Sequence, residues 1–382
     1  MPNDDCSWIV GVGQSGFSRL SGRSPADLAA EAALAAAQDA GVDPKTIRAV
    51  IPLGGSLFTE DLICGLGLDP GAVTDATPPP GGNAAVTSLI TARTVLRAGA
   101  ADLVLIVLAR NGASGARIQD RIRSLPGRPF REFLEQPYGW SRPAEWYSML
   151  CRRYMHDHGD CKRAMAEVAL VTRSNAQLNP AAMMYGRPLT LADYNAARWI
   201  ADPYQLYDCC LETDGAVAVL LSSQNRYGRG VRIRGVASAR PQSPDDLTNR
   251  ANWYDIGLTA SAPRAYEAAA VGPADINVAL IYDCFTFEVI HQLEEAGFCP
   301  RGQAPQFILS GGTALGGRLP VNPHGGLLSE GHLGGLNHVA EAVRQLRHEA
   351  GARQVAGARL AAVTGWGDWG DGSLAVLERK AA

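Results

Sequence analysis

The order of apolar runs and helical periods predicts an α/β protein in which one βαβ-rich unit is used twice. Short runs rich in Val, Ile, Leu and Ala, at Trp8–Gly13, Ala49–Leu53, Leu103–Ala109 and Gly215–Leu221, alternate with stretches of helical period. From Gly230 onward the same order of elements returns, which places one half at 1–225 and a second at 226–382. Between Gly112 and Pro203 arginines, prolines and aromatics rise. That stretch, 112–203, is expected to be a helical insertion lying over the sheet.

Each element has a local signal. Trp8-Ile-Val-Gly-Val-Gly reads as the first strand. Ser24-Pro-Ala-Asp then opens a helix, with Ser24 as N-cap, Pro25 at the first helical position and Asp27 closing a capping box. Gly41 stops it. Asp75 to Gly82 breaks regular structure, and a helix of small residues follows from Asn83 to Ala98. Helices are expected in the insertion at Ala144–Asp157 and Met165–Ala176. The second half offers a strand at Gly230–Ala237, a helix near Ala262–Ala270, a strand at Asn277–Asp283 and a helix at Phe285–Ala296. A helix at Leu336–Glu349 and strands at Ala358–Thr364 and Ser373–Leu377 complete it. Strands separated by helices predict a largely parallel sheet.

Of the 382 residues, 46% are apolar and 19% charged, enough for a substantial core. A net charge of −3 without basic runs argues against nucleic acid or an anionic membrane as partner, because phosphate binding needs clustered Lys and Arg. The eight cysteines form no CxxC pair and no Cys/His ligand spacing, so no metal is expected on this chain. Scattered cysteines, with no leader-like N-terminus and no apolar run long enough to span a bilayer, point to the cytoplasm. Gly11-Val-Gly-Gln-Ser-Gly spells GxGxxG, but the helix waits until Ser24 and the acidic residue at the right distance, Glu31, falls inside it. A dinucleotide site is therefore not expected.

The chemistry-bearing side chains gather between Ala279 and Glu349. Tyr282 and Cys284 end an apolar strand in Tyr282-Asp-Cys-Phe. Asn322-Pro-His324-Gly325-Gly326 and Glu330-Gly-His332 lie in a glycine-rich segment that opens the last long helix. Strand ends and glycine loops are where α/β sheets place their sites. His156 and His158 are two apart on a helix, do not face each other, and are expected at the surface. Asp208-Cys-Cys reads as a buried turn beside the site.

These motifs together, with Ser24–Gly41 and Asp208-Cys-Cys-Leu-Glu-Thr-Asp-Gly-Ala, resemble the thiolase superfamily over nearly the whole chain, in its sterol-carrier-protein and lipid-transfer-protein branch. The resemblance implies a duplicated five-layered (αβαβα) fold with a helical loop insertion. A working thiolase carries a nucleophilic cysteine at the start of the helix after the second βαβ loop. Here Gly82 falls at that position. The branch's His-Asp-Cys-Phe reads Tyr282-Asp-Cys-Phe, and the C-terminal cysteine is replaced in Gly365-Trp366-Gly-Asp. His332 matches the histidine that binds the thioester carbonyl, although Leu333 follows it where the family has Pro. Loss of the nucleophile with retention of this histidine resembles the steroid side-chain aldolases, which cleave a β-hydroxyacyl-CoA by retro-aldol reaction with tyrosine as base.

That reaction needs a base for the β-hydroxyl proton and a donor for the thioester enolate, and no acyl-enzyme. The resemblance makes Tyr282 the base and His332 the enolate-side donor, with Cys284 or Glu330 as second proton carrier. Glu330 stands where the aldolases have a second tyrosine; it is a base or merely an arginine partner. Amides of Gly325 or Gly326 are expected in an oxyanion hole. Gly82, Asn322, His324 and Trp366 are expected to line the acyl-CoA pocket, with Trp366, Asp368 and Trp369 as an apolar wall or simple sheet cover. The resemblance further implies a homodimer, no cofactor bound to this chain beyond the CoA thioester substrate, and a small OB-fold/zinc-ribbon partner. Two rival functions remain: acyl transfer through Cys284, and a non-catalytic acyl-CoA-binding subunit.

Overall fold

The structure is a computed structural model that describes residues 7–54, 56–71, 73–75, 81–115, 131–225, 228–242, 250–367 and 370–379. Asp368, Trp369, residues 76–80 and part of the insertion, 116–130, lie outside the described residues.

The strands are β1 (Trp8–Gln14), β2 (Ala49–Leu53), β3 (Thr74–Asp75), β4 (Leu103–Asn111), β5 (Trp199–Ala201), β6 (Tyr204–Gln205), β7 (Asp214–Ser222), β8 (Val231–Ala239), β9 (Val278–Leu280), β10 (Leu360–Trp366) and β11 (Gly372–Arg379). The helices are α1 (Pro25–Ala40), α2 (Thr59–Leu66), α3 (Ala84–Arg97), α4 (Pro143–His158), α5 (Lys162–Ala176), α6 (Leu191–Asn195), α7 (Gly257–Ala269), α8 (Thr286–Glu295), α9 (Ala304–Leu309) and α10 (Leu336–Arg347). No helix among the described residues is long and apolar enough to cross a membrane.

Local chemistry explains the elements that the sequence predicts well. The Ser24 hydroxyl accepts from the Asp27 amide at 3.1 Å, the Asp27 carboxylate accepts from Ser24, and Gly41 closes α1 in the left-handed conformation. The first two glycines of GxGxxG serve this helix: a Cβ on Gly11 would stand 2.1 Å from the Ala36 carbonyl oxygen, and one on Gly13 2.2 Å from that of Ala32. They let α1 lie directly on β1.

The sheet runs β3-β2-β4-β7-β1-β8-β11-β10-β9, and Val321 adds a parallel bridge beside Ala279 of β9. The order is thus the same read inward from either edge, which is the duplication expected. Among the described residues the half-sheets pair at Trp8 with Arg232 and Ile9 with Val231, and the Ile233 amide donates to the Ser7 carbonyl at 3.0 Å. Buried residues of both half-sheets, among them Val104, Val219, Val278 and Val363, share one core with Leu89 of α3 and Leu336, Val339 and Val343 of α10. A second core places α1 and α2 on the outer face of the first half-sheet. A third places α7, α8 and the insertion helices α4 and α5 outside the second. These are the five layers.

The largely parallel sheet is a correction. Among the described strands β2 with β3, β2 with β4 and β9 with β10 run parallel, as does the Val321 bridge; β4–β7, β7–β1, β1–β8, β8–β11 and β11–β10 are antiparallel. β7 and most of β11 are buried on both faces, so they show the same unbroken apolar run that a parallel strand shows.

The strand expected at Asn277–Asp283 ends at Leu280, because a side chain takes over the ladder. Ile281 donates its amide to Asn322 Oδ1 and accepts from Asn322 Nδ2, both at 2.8 Å. The next amide, Tyr282, goes to Thr364 Oγ1 at 3.0 Å. The α7 helix starts at Gly257, before the expected Ala262, since Pro263 lies inside it and Thr259 Oγ1 accepts the Ile256 amide at 3.0 Å. The β5–β6 hairpin and α2 carry no signal strong enough to be anticipated from the chain.

Candidate active site

The site forms where the end of β9 meets the start of α3 and the turn before α10. Tyr282 is held by its backbone: its amide donates to Thr364 Oγ1, its carbonyl accepts from Gln292 Nε2 at 2.7 Å, and Thr364 Oγ1 donates to Gln292 Oε1 at 2.6 Å. The phenol points at Gly82. A Cβ built on Gly82 would lie 2.4 Å from Tyr282 Cζ, 2.5 Å from its hydroxyl and 2.2 Å from the Trp366 carbonyl oxygen. At the head of α3 the tyrosine phenol occupies the volume that a side chain at position 82 would need.

His332 completes the pair, with Nε2 3.0 Å from Tyr282 Oη and the rings near perpendicular at 74°. The His332 backbone is fixed at both ends. Its amide donates to Thr213 Oγ1 at 2.9 Å, and its carbonyl accepts from the Arg110 guanidinium, whose Nε lies at 3.0 Å. Leu333, in the place of the family's proline, is wholly buried in the central layer and anchors the turn by packing. Nδ1 of His332 faces Cys210 Sγ at 3.5 Å. Burial pushes the Cys210 thiol up to about 12, so it stays protonated at neutral pH. Cys284 hydrogen-bonds through its backbone: its carbonyl accepts the Cys210 amide at 2.9 Å, which brings the second cysteine of Asp208-Cys-Cys onto His332.

Behind this pair lies a buried polar layer that receives several residues expected to touch substrate. Of the two glycines expected to offer an oxyanion-hole amide, Gly325 gives its amide an internal partner. Gly325 donates its amide to the Asn322 carbonyl at 3.0 Å, and the amides of Leu327 and Leu328 point at the Asp283 carboxylate at 2.8 and 3.3 Å. The left-handed turn at Gly325 and Gly326 (φ 108° and 58°) builds an anion nest, but the chain's own Asp283 fills it. A Cβ on Gly326 would stand 2.0 Å from Asp283 Oδ2, so glycine is required there. Asn322 is likewise a staple across Ile281 and no substrate ligand.

His324 and Glu330 belong to the same layer. His338 Nε2 lies 3.2 Å from Asp283 Oδ1, His338 Nδ1 lies 2.9 Å from His324 Nε2, and the latter lies 3.6 Å from Glu330 Oε2. Burial, with His338 beside it, holds His324 well below the usual histidine range, so it is neutral. The Glu330 side chain is 1% exposed and accepts from Asn179 Nδ2 at 3.0 Å and Asn337 Nδ2 at 2.8 Å; burial raises it to about 7. Its carboxylate is engaged by these two amides within the layer. Trp366 is also turned inward: its ring is 2% exposed, Nε1 donates to Tyr147 Oη at 2.9 Å, and His291 packs edge-on at 5.1 Å. Its carbonyl, not its ring, borders the site.

Of the expected residues, Tyr282, His332 and Gly82 therefore converge, with the Trp366 backbone beside them. Cys210, Thr213, Arg110, Asp283 and His338 were not singled out by the sequence. Cys210 had a signal, its motif having been read as a turn beside the site; Arg110 and Thr213 act through backbone contacts no local pattern announces.

Residues 240–379 match the thiolase C-terminal domain-like family. The chain is 38% identical over 356 residues to the 17-hydroxy-3-oxo-4-pregnene-20-carboxyl-CoA lyase of Mycobacterium tuberculosis, covering 89% of this chain and 91% of that protein. It is 35% identical over 361 residues to the steroid side-chain-cleaving aldolase of Thermomonospora curvata, covering 89% and 90%. Among solved structures it superposes on the Ltp2-ChsH2(DUF35) aldolase with a TM-score of 0.91 and 33% identity, over 99% of both chains. With human mitochondrial 3-ketoacyl-CoA thiolase the TM-score is 0.72 at 15% identity, over 98% of this chain and 99% of that one, a likeness of fold.

Proposed function

The chain belongs to the thiolase superfamily, in the branch of the steroid side-chain-cleaving aldolases, and from that membership we propose how it works. It is a carbon–carbon lyase on CoA thioesters that cleaves a bulky β-hydroxyacyl-CoA of steroid side-chain type to a ketone or aldehyde and a shortened acyl-CoA. The observation that carries the mechanism is the Tyr282 phenol standing in the nucleophile's volume, 3.0 Å from His332 Nε2.

Tyr282, as phenolate stabilised by the His332 N–H, removes the β-hydroxyl proton. The Cα–Cβ bond breaks as the carbonyl forms at Cβ, and its electron pair passes into the thioester enolate. His332 Nε2–H donates to the enolate oxygen as the charge develops there. We assign the return of a proton to Cα to Cys284, the thiol two residues beyond Tyr282; the proton gained by Tyr282 then restores that thiol. Asp283 and Glu330 hold the turn that carries His332 and do not touch substrate.

The chain is also proposed to act in the cytoplasm, as a homodimer, with a small OB-fold/zinc-ribbon partner that assists acyl-CoA binding. The partner is supported by the second component, a DUF35 protein, in the name of the aldolase on which the chain superposes.

The test is incubation of the purified chain, with and without such a partner, with a panel of β-hydroxyacyl-CoA esters. Mass spectrometry is expected to find a ketone or aldehyde and a shortened acyl-CoA without added free CoA. Cleavage of a β-ketoacyl-CoA that depends on free CoA, with an acyl adduct on Cys284, would instead assign the chain to acyl transfer. Turnover of the complex unchanged in Tyr282→Phe and His332→Ala would make it a binding subunit.

A further inference from the structure

We propose that Cys210 is a positioning residue that holds His332 in the tautomer with its proton on Nε2, and so decides that His332 acts as a donor and not as a base. The inference rests on the lyase reading for its consequence, but the tautomer itself is a property of the resting protein.

The two nitrogens of His332 face different partners. Nε2 is 3.0 Å from Tyr282 Oη, and Nδ1 is 3.5 Å from Cys210 Sγ. A neutral imidazole carries one proton, so whichever partner donates to one nitrogen leaves the proton on the other. If Nδ1 carried it, Nε2 would present a lone pair and compete with Tyr282 for protons. If Nε2 carries it, that N–H stabilises first the Tyr282 phenolate and then the enolate oxygen.

The surroundings make Cys210 the donor. The charges facing the thiol are Arg110 from β4, Asp283 beyond β9 and Glu212 beside it. Cys210 is half-buried, and desolvation of its thiol outweighs the single cation that would favour a thiolate, so the sulfur keeps its hydrogen. Its aim is fixed by two hydrogen-bonded constraints: the Cys210 amide on the Cys284 carbonyl at 2.9 Å, and the bridge of Cys209 to Phe285. On the other side the Thr213 hydroxyl and Arg110 hold the His332 backbone. The S–H donor is weak, yet it selects between two tautomers of similar intrinsic energy, for which a weak bond suffices.

The adjacent turn completes the logic. Tyr282 and Cys284 come from the end of β9, and Cys210 from the segment just before β7. The Cys284 carbonyl therefore ties the segment two residues beyond the base to the residue behind the donor. A retro-aldol site needs both groups in fixed states at once, and this crossing links them.

The test uses the full chain labelled with nitrogen-15 at histidine, with His332→Asn to assign the resonance. Two-bond proton–nitrogen correlations are expected to show Nε2 protonated in the wild type and in Cys210→Ser, whose hydroxyl donates in the same place. Cys210→Ala is expected to populate both tautomers, with kcat down by about tenfold and KM little changed, as for loss of an outer group that orients a histidine. Nδ1 protonation in the wild type or in Cys210→Ser would overturn the proposal, as would an unchanged tautomer in Cys210→Ala. If Cys210→Ala does not fold, the wild type and Cys210→Ser still decide. An Nε2 tautomer in a protein that cleaves none of the thioester panel would leave Cys210 its role and remove the lyase reading instead.

Discussion

Substituting Gly82 with Ala puts a methyl carbon where the Tyr282 phenol and the Trp366 carbonyl already stand, 2.5 Å from Tyr282 Oη and 2.2 Å from Trp366 O. Carbon atoms in contact prefer about 3.5–4.0 Å, so each neighbour must retreat by roughly an ångström. Overpacking of this kind costs about 1–3 kcal/mol, and with two fixed neighbours the upper end, about 3 kcal/mol, is expected. The Trp366 oxygen belongs to the end of β10, so the freer phenol gives way first. A base displaced by about an ångström loses about 10²-fold in rate. Tyr282→Ala removes the ring and costs about 3–5 kcal/mol as a cavity. In that background Gly82→Ala meets only the carbonyl and is expected to cost about 1–2 kcal/mol, which gives a coupling of about 1–2 kcal/mol. The assay is guanidinium unfolding of the wild type, both single variants and the double variant, with cleavage rates for the folded ones. Costs that add to within about 0.5 kcal/mol would refute the claim that the phenol fills the nucleophile's place.

Tyr282→Phe is expected to lower kcat by about 10²–10⁴-fold with little change in KM, since it removes a proton acceptor and keeps the ring; steady-state kinetics on a cleaved ester checks it. Glu330 is raised from 4.5 to about 7 by burial, so the fold favours its neutral form. The stability this contributes is full below about pH 4.5 and is lost as pH rises through 7, by up to about 3 kcal/mol. Glu330→Gln, neutral at every pH, is expected to unfold at higher temperature than the wild type at pH 8 and to show a flatter profile between pH 5 and 8 by calorimetry. Asp208 is wholly buried and receives Lys162 Nζ at 2.6 Å, Tyr194 Oη at 2.6 Å, Thr286 Oγ1 at 2.7 Å and the Gln205 amide at 2.7 Å. Because these come from the insertion and from α8, Asp208→Ala is expected to cost about 3–5 kcal/mol and to open the insertion first, read as early loss of hydrogen-exchange protection in α5.

The sequence by itself determined the elements and the family. The capping box at Ser24, the stop at Gly41 and the buried run at Leu103–Ala109 are signals between near neighbours, and these elements form where those signals lie. The duplicated order was legible for the same reason. Tertiary structure alone decided three things. Strand direction depends on hydrogen bonds between distant segments, so β7 and β11 look parallel in sequence and are antiparallel in space. The fate of the glycine turn depends on what enters it: Asp283 takes the amides of Leu327 and Leu328, and Glu330 and His324 lie in the interior behind it. Finally, Gly82 and Tyr282 are each only a substitution when read along the chain. Folding brings the head of α3 to the end of β9, and there one residue's missing side chain is the space the other requires.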